Sequence, residues 1–373
     1  MFGGARISDR LSETKGRTRG FDYLRAILSI AVITFHSVVT SYGDDAQTAL
    51  WHTPIRPLLE FILPSFFALS GFLVAGSLVR TRTLHEFLTL RVVRIVPALF
   101  FEVLISAMLL GPLLTALPLG DYFSSHGFWS YWLNIIGNIH FSLPGLFLSN
   151  PLPGMVNYQL WTIPIELRCY VAITIASILG VTRHRWRIFA IIVASMLALP
   201  LLEWFEGTLD TMDFNAASSK VLYLCFLGGI AIYLFQDRIR LNLWLLAASV
   251  VVTWVLLPTG LGQYVVGLPI AYITVYLGLL HPPKSVLSSI SNYSYGLYIY
   301  GFVVQQSYSF LFPAYRFWWL NTIFSLSVAM LFAAVSWHYV EQPVLSHRAR
   351  AVSAVNAVVD YASVLFARRR SAR

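Results

Sequence analysis

Arg25 and His36 stand eleven residues apart in Arg25-Ala-Ile-Leu-Ser-Ile-Ala-Val-Ile-Thr-Phe-His36, an otherwise apolar stretch. Eleven steps of about 100° come within about 20° of whole turns. On an α-helix both side chains therefore leave one face, roughly 16 Å apart along the axis. A guanidinium at one level can hold an anion, and an imidazole at the other can take and return a proton. A carboxylate sits in a second apolar run, Trp161-Thr-Ile-Pro-Ile-Glu166. Counted from the outer helix ends, His36 and Glu166 both fall roughly 10–14 Å deep, which predicts a base oriented by an acid. Arg91 and Arg94, at i,i+3, come at the level of Arg25, and three guanidiniums there make an anion site suited to phosphate. Asp22 is spaced to hold Arg25. Ser70, in Phe66-Phe-Ala-Leu-Ser-Gly-Phe72, turns a hydroxyl toward the bundle at a close helix contact, with no base at helical spacing to make it a nucleophile. Tyr295, Tyr298 and Glu341 are expected toward the side of the arginines.

Such residues need a membrane scaffold to be informative, and the composition supplies one. The 373 residues are 57% hydrophobic and 12% charged, against about 25% charged in soluble domains, so the chain is an all-α integral membrane protein. Hydrophobic runs predict about ten transmembrane helices, over 21–42, 55–79, 92–117, 157–181, 187–204, 218–236, 242–258, 262–280, 289–312 and 318–341. Threaded from a cytoplasmic N-terminus, they put Arg80, Arg82, Arg91, Arg94, Arg183, Arg185, Arg187, Arg238, Arg240 and Lys284 inside. Arg56, Lys220 and Arg316 fall outside, as do Glu203, Glu206, Asp210 and Asp213. This asymmetry predicts the cytoplasmic (inner) membrane with both termini cytoplasmic. Arg80 and Arg82 read as topology arginines. Residues 1–20 form a basic tail, 21–343 the membrane domain, and 344–373 a basic amphipathic tail with Val352, Val355, Val359, Ala362 and Phe366 at helical spacing.

A net charge of +9 does not point to nucleic acid, because the basic residues are dispersed among the loops, where topology and the lipid bilayer explain them. Cys169 and Cys225 lie in apolar runs without metal-ligand spacing, and no metal is expected. Of nine histidines only His36 lies well inside a predicted helix. The connection 118–156 mixes Trp129, Tyr131 and Trp132 with Asn134, Asn138 and His140, a composition that fits either an aromatic belt or stacking on a sugar face.

The stretches Asp22 to Arg25 with His36, Phe66 to Phe72, Arg91 to Arg94, Trp161 to Glu166 with Tyr170, Tyr295 to Tyr298, and Glu341-Gln-Pro343 together resemble the acyltransferase-3 family of membrane O-acyltransferases. The resemblance implies a ten-helix fold and a cytoplasmic acyl-CoA donor, acetyl-CoA foremost, with a sugar or glycolipid as acceptor. It implies His36 and Glu166 as the catalytic pair, with His36 as general base or transient acyl carrier, Arg25, Arg91, Arg94 and Tyr298 on the donor, and Trp161 and Ser70 on substrate. Leu167 stands where the family usually has a second acid, Gly301 where a histidine is common, and Pro164 is unusual. The rival reading of the same charged bundle is a transporter or flippase for glycolipid or polysaccharide. The chain shows no internal repeat of the kind many transporters are built from.

Overall fold

Long apolar runs fold as helices because hydrocarbon offers backbone groups no partner other than one another. The computed structural model describes residues 4–14, 18–206 and 219–371. Within it the principal helices are α1 (Ile7–Glu13), α2 (Arg19–Tyr42), α3 (Asp44–Trp51), α4 (Arg56–Arg80), α5 (Leu84–Leu104), α6 (Thr162–Ile178), α7 (Arg185–Glu206), α8 (Ser219–Leu234), α9 (Leu243–Leu256), α10 (Gly267–Gly278), α11 (Ser294–Leu311), α12 (Trp318–Ser336) and α13 (Arg348–Ser371). Among the described residues there is no strand beyond one isolated bridge between Arg6 and Arg240. Each of the ten stretches expected to be helical contains a helix. Among the described residues six helical segments are long and apolar enough to cross a membrane: Arg19–Tyr42, Arg56–Arg80, Leu84–Leu114, Tyr158–Ile178, Arg185–Glu206 and Trp318–Ser346. Helices α8, α9 and α10 are apolar but shorter. The third helix begins at Leu84, where the Thr83 hydroxyl caps the Glu86 amide, and not near residue 92.

Polar side chains join the helices. Gln305 on α11 donates to the Ile33 carbonyl at 2.5 Å and the Ser37 hydroxyl at 2.7 Å on α2, and Asn321 on α12 reaches Thr40 and Ser41 at 3.1 Å. Helices α4 and α8 meet backbone to backbone: a Cβ on Gly71 would lie 2.0 Å from the Phe226 carbonyl oxygen, and one on Gly229 would lie 2.1 Å from that of Ala68. The helix-packing role expected of the Ser70-Gly71 step is therefore met by Gly71. Gly229→Ala should push α8 off α4 and cost about 1–3 kcal/mol, read as a lower thermal midpoint of the purified protein; an unchanged midpoint would mean that the two helices separate freely.

Two π-helical turns interrupt the long helices, at Ile105–Leu110 and Trp337–Glu341, and each adjoins a buried carboxylate. Glu102 accepts from Ser106 at 2.7 Å, and Glu341 from Ser336 at 3.1 Å. Glu203, assigned above to an outer loop, instead lies buried in the last turn of α7, bonded to Lys220 and Tyr264. Asp210, Asp213, Lys15 and Arg17 lie outside the described residues, as do the side chains of Ala362 and Phe366. The C-terminal α13 packs on α5.

The connection between α5 and α6 returns into the bundle. Asn157 and Gln159 are 0% and 2% exposed. Asn157 donates to Glu102 at 2.7 Å and to the Ile299 carbonyl at 2.8 Å, and Gln159 donates to the Tyr298 carbonyl. Helix α6 thus starts already inside the protein.

Candidate active site

Arg25 from α2, Ser70 from α4, Arg91 and Arg94 from α5, Glu166 and Tyr170 from α6, and Tyr295 and Tyr298 from α11 line one cavity of about 180 Å³. Arg91 donates to the Ser77 hydroxyl at 2.9 Å, and its guanidinium lies 5.6 Å from the Phe87 ring centre and 5.9 Å from that of Tyr170. Stacking between rings fixes that plane. Among the described residues neither Arg25 nor Arg94 has a carboxylate within ion-pair distance. Arg25 feels the charges of both Arg94 and Arg91, with Asp22 as the opposing anion. Asp22 accepts from Ser291 at 2.8 Å. Three guanidiniums therefore face a space whose walls carry a single carboxylate, Glu166. Like charges gathered at membrane depth are costly, and an anionic ligand relieves that cost.

His36 opens on a second cavity, of about 350 Å³, with Trp51, Glu60, Gln159 and Trp161. Its ring packs at 5.4 Å on Phe35 and edge-on at 5.3 Å on Phe302. Gln159 shares the cavity wall with His36, and Nδ1 of His36 has no partner. Trp51 Nε1 and Glu60 Oε2 also lack partners, while Glu60 Oε1 pairs with Arg56 at 2.9 Å. Buried polar atoms left unpaired are uncommon, and three around one cavity constitute a donor–acceptor set that a hydroxyl-bearing ligand would satisfy.

Leu63 and Tyr298 belong to the walls of both cavities. The Tyr298 hydroxyl lies 2.7 Å from that of Thr162 and donates to the Gln159 carbonyl at 3.2 Å, and its ring meets Phe66 at 5.9 Å. Leu63 and Tyr298 thus stand between the cavity of the arginines and that of the imidazole.

The expected partnership of His36 and Glu166 is not what the structure presents. Glu166 accepts from Tyr170, whose hydroxyl is 3.5 Å from Ser70, and it faces Arg91 and Arg94. The depth count failed because it began at residue 157, whereas the chain from Asn150 to Trp161 has already descended into the bundle. Ser70, grouped above with Trp161 on substrate, lines the arginine cavity instead; Trp161 lines the other, and Tyr298 borders both. Two residues join the candidates. Gln159 lines the cavity of His36, where Glu166 was expected. Glu102, a carboxylate inside an apolar run and hence marked by the same criterion as His36, holds Asn157 two residues before Gln159. Among the described residues no group of His, Cys, Asp and Glu is arranged to hold a metal, and both cysteines are free and buried.

Residues 18–338, which contain every residue of both cavities named above, match the acyltransferase domain. The chain belongs to the acyltransferase-3 family. The matched region holds both the cationic cavity and the imidazole-bearing cavity. The chain is similar to nodulation protein 10 of Rhizobium leguminosarum bv. viciae, 26% identical over 91% of this chain and 96% of that protein. It is also similar to the O-acetyl transferase of Shigella phage Sf6, 25% identical over 87% of this chain and 96% of that one. No solved structure matches.

Proposed function

We propose that the protein moves an acetyl group from acetyl-CoA, bound from the cytoplasm, to a sugar hydroxyl presented from the opposite side of the cytoplasmic membrane. In this reading the chain crosses ten times with both termini inside, and the arginine cavity opens at the cytoplasmic mouth, which the distribution of basic residues supports. The observation that carries the reading is the shared wall: the cationic cavity and the imidazole cavity meet at Leu63 and Tyr298. The donor diphosphate sits on Arg25, Arg91 and Arg94, whose forks match phosphate oxygens. The flexible arm runs along α2 toward His36, a rise of roughly 16 Å, and the thioester passes Tyr298. His36 takes the proton of the acceptor hydroxyl as its oxygen attacks the thioester carbonyl. The C–O bond forms, the C–S bond breaks, and the proton goes on to the departing thiolate.

For the acceptor, the support is the set of unpaired polar atoms on Trp51, Glu60 and His36 in a cavity that Trp161 and Tyr158 also line. Such a surface suits a ligand with hydroxyl edges and an apolar face, as in a sugar of a lipid-linked or surface polysaccharide. The name of the phage relative supports acetyl as the group and oxygen as its destination.

The purified protein, given acetyl-CoA and the polysaccharide or glycolipid fraction of cells lacking the gene, should release CoA thiol in proportion to acceptor added. Mass spectrometry of that fraction should then show a gain of acetyl. Movement of glycolipid across vesicles without thiol release would instead establish the transporter reading.

A further inference from the structure

A third cavity, of about 550 Å³, lies at the Arg25 end of the bundle, and Leu73 is a wall of both it and the arginine cavity. Its roof is α1, seven residues that are too short to hold a helix alone. They are pinned in place: the Ile7 and Ser8 amides donate to the Ile239 and Gln236 carbonyls at 3.1 and 3.0 Å, the Leu241 amide donates to Ala5 at 3.0 Å, and Ile7 is fully buried. The opposite walls come from Phe72 and Arg80 of α4 and from Tyr233 and Gln236 at the end of α8.

Arg80, read above as a topology arginine, is exposed at the end of α4 and lines this wall. Gly76 leaves the room: a Cβ there would lie 3.0 Å from the Tyr233 ring and 3.2 Å from Arg80 Nη1, so the guanidinium folds back over the helix beside the tyrosine. The acid on the same wall, Asp237, is committed to Arg185 at 2.6 Å. No carboxylate among the described residues lies within ion-pair distance of Arg80. Phe21, Phe72 and Tyr233 form a ring cluster with centres 5.7 and 5.4 Å apart, and the Gln236 amide stands next to it. Ten residues of α4 separate Ser70 in the arginine cavity from Arg80, about 15 Å of rise. A small free anion needs one cationic site. Two, joined through a single shared wall and flanked by rings and an amide, fit a ligand that carries phosphate at two separated points of a ribose bearing a base.

We infer that this cavity holds the nucleotide end of the donor, the purine against Tyr233 and Gln236 and the ribose 3′-phosphate on Arg80, under a roof made by the N-terminal helix. The assignment rests on acyl-CoA being the donor. Acetyl-CoA and acetyl-dephospho-CoA, which lacks only the 3′-phosphate, separate the two ideas. The wild-type protein should prefer acetyl-CoA by about tenfold to a hundredfold in kcat/KM, carried by KM. Arg80→Ala should use the two donors equally, and Arg80→Lys should keep part of the preference, since lysine retains the charge without the fork. Turnover of the dephospho donor by the variants reports that they are folded. Wild-type turnover of both donors with no preference, or a preference that survives in Arg80→Ala, overturns the nucleotide site and leaves the donor reading intact. Absence of thiol release from either donor by the wild type overturns both.

Discussion

His36→Ala and His36→Gln should each slow acceptor-dependent thiol release by about 10²–10⁴-fold while acetyl-CoA still binds, the range expected for loss of a positioned general base. The two variants answer different objections. Alanine removes the ring that packs between Phe35 and Phe302 and so leaves a void. Glutamine is closer in size, but it cannot carry a proton between hydroxyl and thiolate. Donor affinity, measured by calorimetry on the purified protein, should be within a few-fold of wild type in both, because the arginine cavity is on the far side of Tyr298. Near-normal turnover in the glutamine variant would remove His36 from the chemistry and reduce it to a packing residue.

Arg25→Ala should raise KM for acetyl-CoA by about tenfold to a hundredfold, and Arg94→Ala by a similar factor, since each removes a charge-assisted contact to phosphate. The unliganded protein supplies a second readout with the opposite sense. Arg25 is repelled by Arg94 and Arg91, and its counter-charge Asp22 already has a hydrogen bond from Ser291. Arg25→Ala should therefore leave the thermal midpoint of the unliganded protein unchanged or higher, while abolishing most of the stabilisation that acetyl-CoA gives to the wild type. Arg91→Ala is different, because that side chain also holds Ser77 and lies against two rings; it should lower both affinity and stability. A midpoint that falls in Arg25→Ala with no change in KM would make Arg25 a structural cation.

The arginine cavity was legible in the sequence because charge in an apolar helix is costly wherever it occurs. Arg25, Arg91, Arg94 and Glu166 could be picked out by cost alone, and the structure gathers them with Ser70 and Tyr298. The six long apolar helices were legible for the same reason. What hydropathy could not convey was depth. A helix start marks a membrane surface only if the preceding loop stays outside, and the loop before α6 descends because Asn150, Asn157 and Gln159 find partners on α11 and α5. Amides inside a loop carry no periodic signal, so nothing in the sequence marks Gln159 as a wall of the cavity of His36, the place that the depth count gives to Glu166. Arg80 illustrates the complementary gap. An arginine at a helix end reads as topology until Gly76, four residues earlier, is seen to make room for it against Tyr233.

The descending loop also fixes when the protein can first work. Asn157 is held by a carbonyl 142 positions further along the chain, and Gln159 by one 139 further. At about 5–20 residues per second, a ribosome needs roughly 7–28 s after making the loop before α11 emerges to receive it. Until then His36 lacks Phe302 and a held Gln159 beside it, and any nascent chain halted before residue 298 carries the arginines without an organised imidazole. Assembly is thus completed from the C-terminal end, and the last helices are what turn an inserted bundle into a working one.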